Sequence, residues 1–299
     1  MLGLYLLFIF IGAALVTPWI WRTVQTLLPS SALAHYPFHR YVNRALLVLA
    51  IAGLWPLVRL RLFPGFFEAG FKRSRTMYRD LIRGSTLGFI SLALFVFWVI
   101  VAGNREWVPH HQLKQILLHI QQSVGTAVVV GVLEELLFRG VVFGVLRRSY
   151  GFLFSGVLSS LLYAMVHFFQ KPAPPASVGA WTGFEMLVRM ASGFADLSAL
   201  LPSFLNLTLA GFVLSALRER TGALWMSIGL HGGWIFWLKS YAFLTQPRPS
   251  TFVSFWGSSA LIDGWFAFAC LWIGIIGISW VSPFRMVPKL DKSEAVYVR

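Results

Sequence analysis

Charge is scarce in this sequence: only 12% of its 299 residues are Asp, Glu, Lys or Arg, against about 25% in a soluble domain. Cysteine is almost missing as well. The one thiol, Cys270, excludes an intramolecular disulfide and a multi-cysteine zinc site. No hydrophilic stretch is long enough for a separate soluble domain, no repeat of about 20 to 50 residues recurs, and the alternation of a transmembrane barrel is lacking. A single membrane domain over residues 1–299 is the expectation.

What fills the chain is apolar: 57% of residues are hydrophobic, with 13 Trp and 27 Phe. A bilayer crossing takes about 20 apolar residues in a helix. The runs Met1–Trp21, Gly84–Asn104, Ser149–Gln170, Leu197–Leu217 and Gly264–Phe284 meet that length. Gln115–Val145 and Thr221–Leu238 are helix-length but polar in places, and Ala45–Val58 is short unless Arg44 and Arg59 snorkel. The fold class predicted is all-α, a polytopic bundle of about eight transmembrane helices around a buried active site. The first run lacks a basic leader and is full length, so it reads as a retained helix rather than a signal peptide.

The basic residues say how such a bundle is oriented. With both termini cytoplasmic, 15 of the 25 Lys and Arg fall on the cytoplasmic side, nine on the other, and Arg139 within a span. That is the positive-inside asymmetry. The net charge of +14 therefore sets topology and meets anionic headgroups; the partner is the lipid bilayer, with no nucleic acid expected. Beyond Lys171-Pro-Ala-Pro-Pro, the spacing of Trp181, Phe184, Leu187 or Val188, and Ala191 fits a short interfacial helix as well as it fits a loop. The tail Pro283–Arg299 is polar and carries no readable chemistry.

An ionised group inside a span costs a few kcal/mol, so Glu134 and Glu135 demand a reason. On a helix Glu135 and Arg139 stand four apart and pair, whereas Glu134 is turned about 100° away. That leaves Glu134 as the candidate base, although spacing alone leaves the opposite assignment open. His167 ends the small-residue stripe Gly156, Ser160, Ala164, which favours close helix packing, so it faces protein. His231 lies in another apolar run before Gly232-Gly233. A lone buried histidine is more often a satisfied polar residue than a catalyst. Depth argues for more: at about 1.5 Å per residue, Glu134, His167 and His231 lie about 20, 24 and 15 Å from the cytoplasmic boundary, one level within a core of about 30 Å. His119 is about 22 Å from Glu134 along the same helix and is excluded.

The ordered set Glu134-Glu135-x-x-x-Arg139, Tyr163-x-x-x-His167 and His231 over roughly residues 130–240 resembles the type II CAAX prenyl protease and bacteriocin-processing family of intramembrane glutamic endopeptidases. The resemblance implies a catalytic core at 130–240, with no metal and no cofactor. In it Glu134, assisted by His167, activates water against a peptide bond of a membrane-associated or lipid-anchored protein or peptide, and His231 stabilises the oxyanion. The family's distribution implies a bacterial cytoplasmic membrane. Two positions depart from the pattern. Tyr163 replaces Phe, which adds only a hydroxyl, and Ile235 stands where the family places an amide or acid, so one oxyanion contact is missing or moved. Asn206, at a similar depth on the preceding helix, is a candidate substitute or else helix–helix glue.

The same residues admit other readings. Two histidines and a glutamate suit a divalent-metal protease, but no His-Glu-x-x-His sequence supports it. A transporter, or an inactive scaffold using the groups for proton relay or packing, is kept open by Ile235, yet paired Gly/Pro-broken segments are absent.

Overall fold

The computed structural model describes residues 1–61, 65, 68–73, 75–108, 112–195, 197–248 and 252–281. The tail read as polar, 283–299, lies outside them. Every run read as a span is helical: α1 (Leu2–Leu27), α2 (Phe38–Ala52) with α3 (Leu54–Arg59), α4 (Met77–Val101), α5 (Leu113–Glu134) continuing to α6 (Phe143–Ser149), α7 (Phe152–His167), α9 (Leu197–Thr221), α10 (Trp225–Leu244) and α12 (Trp265–Val281). The interfacial segment is helical too, as α8 (Thr182–Ala191), and α11 (Val253–Trp256) is a short turn before α12. Four segments, Leu2–Leu27, Phe38–Arg59, Met77–Val101 and Leu200–Thr221, are long and apolar enough to cross a bilayer by length and composition. Phe152–His167 and Trp265–Ile276 are shorter apolar helices. The chain is a helical integral membrane protein.

Two details differ from the sequence expectation. An antiparallel ribbon, β1 (Arg105–Trp107) with β2 (Thr245–Pro247), joins the ends of α4 and α10. The doubtful second span begins seven residues earlier than Ala45, at Phe38. Arg40 and Arg44 stack on the Tyr36 ring, 4.9 and 4.4 Å from its centroid, which shelters cationic side chains beside an apolar helix. Phe38 and Val42 of that added turn bury against Met186 and Met190 of α8. The interfacial helix thus uses Gly183, Met186 and Met190 as its packed face, while Trp181 and Val188, on the stripe read from spacing, are exposed.

Small residues set how closely the central helices cross. A Cβ on Gly84 or Gly88 of α4 would lie 2.2 Å from the carbonyls of Met226 and Leu230 of α10, and one on Gly229 would lie 2.3 Å from Leu81 O. Backbone touches backbone at this crossing, the geometry that apolar solvent favours because dispersion and close packing replace the hydrophobic drive. The stripe ending at His167 behaves the same way: Ser160 meets Gly211 of α9, and Gly156 meets Phe212. α9 ends because Gly222 adopts φ +66, a left-handed conformation that turns the chain straight into α10.

Candidate active site

Between α5 and α6 the rod loosens into a π-helical stretch, Glu135–Val142. π-helical turns are rare and occur mostly at functional sites. This one carries both Glu135 and Arg139. Ser159 of α7 donates to the Phe138 carbonyl at 3.1 Å, tying the irregular stretch to its neighbour.

The pairing read from spacing is present. Arg139 Nη1 lies 3.0 Å from Glu135 Oε1, and both side chains are buried to within 1%. The guanidinium also stacks 4.3 Å from the centroid of Tyr163, whose ring meets Phe138 edge-on at 5.1 Å. Glu134, one residue earlier, points elsewhere. Its Oε2 stands 3.7 Å from His167 Nε2 and 3.7 Å from His231 Nε2. Three helices therefore bring Glu134, His167 and His231 to one point, as the depth argument anticipated. Glu134 and His167 keep 24% and 31% of their side-chain exposure, so a substrate can reach them.

Three features were not legible. His231 bridges the two acids, its Nδ1 lying 3.0 Å from Glu135 Oε1. The Tyr163 hydroxyl, expected to add little, sits 3.3 Å from His231 Nε2. Asn206, read either as a substitute donor or as helix–helix glue, has its amide nitrogen donating to the carbonyls of Ile262 and Gly264 at 2.6 and 3.0 Å. Those carbonyls belong to the non-helical turn before α12, where no helix supplies N–H partners. His119, as read, is remote, contacting Ser123 and stacking on Phe243. Among the described residues, no group of three His, Cys, Asp or Glu side chains is arranged to hold a metal ion.

A cavity of about 620 Å³ reaches this centre, lined there by Tyr163 and His231 and further out by Leu87, Phe95, Leu217 and Trp234. On the side of the bundle where α6 and α9 end, the basic residues gather: Arg147 pairs with Glu219, Arg148 with Glu68, and Arg218 donates to the Glu68 carbonyl. Phe71 packs on Leu224 and Ile228, beside Val132 and Leu136, which flank the glutamates in sequence.

With this geometry in view, sequence comparison adds what the chain is similar to. Residues 116–237 match the family described as type II CAAX prenyl endopeptidase Rce1-like. The Rce1-like segment runs from α5 into α10 and includes every residue of the cluster. The chain is also similar, at 25% identity over 178 residues, to a protein of Bacillus subtilis (strain 168) named "Putative membrane peptidase YdiL". That alignment covers 52% of this chain and 59% of the relative, so the chain spans about three fifths of the relative's length. No solved structure matches the chain.

Proposed function

We propose that the chain is an intramembrane glutamic peptidase, one membrane domain with its catalytic core at 130–240. Glu134 takes a proton from a water as the water oxygen attacks a peptide carbonyl, and His167 Nε2 shares that proton. Collapse of the tetrahedral intermediate breaks the C–N bond, and the proton returns to the departing amine, leaving a carboxylate and an amine. Glu135 and Arg139 neutralise each other and hold His231 by its Nδ1.

One observation carries the reading: Glu134 Oε2 faces two imidazole nitrogens at equal distance while its neighbour's charge is already paired. Burial of paired charge is costly, and a second acid left beside such a pair with two histidines is a recurrent arrangement for acid–base chemistry. The Rce1-like match and the peptidase name of the relative support the same class. The apolar cavity suits a substrate held in or anchored to the bilayer, a membrane-associated or lipid-anchored protein or peptide. The basic cluster at the α6 and α9 ends supports both termini in the cytoplasm, and a bacterial inner membrane is the proposed location.

The test compares peptides released from membranes carrying the wild-type chain with those from Glu134→Ala, both at equal levels of folded protein. Peptides that appear only with Glu134 support the reading. Identical peptide sets contradict it, and loss of folded Glu134→Ala points to a structural role instead.

A further inference from the structure

Both histidines at the centre have one nitrogen fixed by its partner. His167 Nδ1 is 2.8 Å from the Tyr163 carbonyl, which only accepts, so that nitrogen carries the proton. His231 Nδ1 is 3.0 Å from Glu135 Oε1, and Arg139 at 3.0 Å from the same oxygen keeps that carboxylate an acceptor. With Nδ1 of each ring held by an acceptor, Nε2 is the nitrogen that faces Glu134, at 3.7 Å in both cases.

Tyr163 differs from both. Its hydroxyl lies 3.3 Å from His231 Nε2 and also faces the Glu134 carboxylate. A phenol hydroxyl carries its own proton to donate. The stacked Arg139 and the edge of Phe138 hold its ring, and the residue lines the cavity next to His231. Other nearby positions offer nothing: Ile235, one turn beyond His231, is apolar and buried, and the Asn206 amide is committed to Ile262 and Gly264.

The geometry points to the Tyr163 hydroxyl as the donor that holds the substrate carbonyl oxygen while negative charge develops on it. The assignment rests on the peptidase reading. At rest the O–H bonds His231 Nε2; with substrate it turns to the carbonyl oxygen and keeps its proton throughout. The water's proton goes to Glu134, so Tyr163 stabilises charge without transferring hydrogen.

The test uses purified full-length protein in liposomes and a quenched fluorescent peptide spanning a bond that the wild-type chain cleaves. Tyr163→Phe keeps the ring that stacks on Arg139. A preorganised oxyanion donor is worth about 10² to 10³ in rate, so kcat should drop by about that factor with KM nearly unchanged. Wild-type kcat in Tyr163→Phe, or a loss expressed only in KM, overturns the assignment. If Glu134→Ala is inactive in the same assay, the peptidase reading survives that outcome; if Glu134→Ala also cleaves, the reading falls with it. A second measurement needs no substrate: nitrogen-15 spectra of imidazole-labelled protein should show His231 with Nδ1 protonated and an Nε2 signal that shifts in Tyr163→Phe. A protonated Nε2 unmoved by the substitution overturns the assignment.

Discussion

His231 Nδ1 lies 3.0 Å from Glu135 Oε1, so one of the two histidines beside Glu134 is also the partner of the neighbouring acid. The adjacent glutamates are thereby divided: Glu135 is buried against Arg139 and His231, while Glu134 keeps 24% of its side-chain exposure.

Breaking that buried pair leaves an uncompensated charge. Arg139→Ala or Glu135→Ala should each cost about 3–5 kcal/mol of stability, while Glu135→Leu with Arg139→Leu together should cost much less than the two single changes combined. Denaturant unfolding in detergent measures it. Additive losses would mean that the two charges are not coupled.

The crossing of α4 and α10 positions His231, because α10 carries it. Gly229→Ala places a Cβ against Leu81 O, and Gly88→Ala places one against Leu230 O. Forced separation of packed backbones should cost about 1–3 kcal/mol in each case, visible as a lower melting temperature. Gly125→Ala, on α5 with open space at its Cβ, should stabilise or leave the protein unchanged.

Much of this bundle was legible because uncharged runs of bilayer length have few alternatives. The second span was read as short because Arg44 and Arg59 bound its uncharged stretch, and only the fold reveals that the helix starts at Phe38 with Tyr36 stacked against Arg40 and Arg44. The Glu135–Arg139 pair followed from four-residue spacing and survives in the π-helical stretch. That stretch itself leaves no trace in composition, since it is a change in which carbonyl each N–H meets. The bridging of His231 to Glu135, the partner of the Tyr163 hydroxyl and the commitment of Asn206 are contacts between distant segments, which local spacing does not encode.

Outside the membrane-spanning helices, Glu106 accepts hydrogen bonds from Gln246 and Arg248, which hold its carboxyl below the usual carboxylate range. A carboxylate depressed on folding contributes stability above its unfolded pKa and loses it as pH falls through the folded value. The backbone amide of Arg248, which donates to Asn104 O across the ribbon, should therefore lose exchange protection, measured against its intrinsic rate at each pH, as pH falls. In Glu106→Gln that acid-dependent change should vanish. An identical pH profile in both proteins would remove Glu106 from the account.

The central claim is that Glu134 performs the water chemistry of peptide hydrolysis. Glu134→Gln preserves size and helix but cannot take a proton, so the direct measurement is its single-turnover cleavage of a peptide that the wild-type chain cleaves, in liposomes, beside the wild type. The account predicts a fall in the chemical rate of about 10² to 10⁴ with an unchanged melting temperature. Cleavage by Glu134→Gln at the wild-type rate would contradict it.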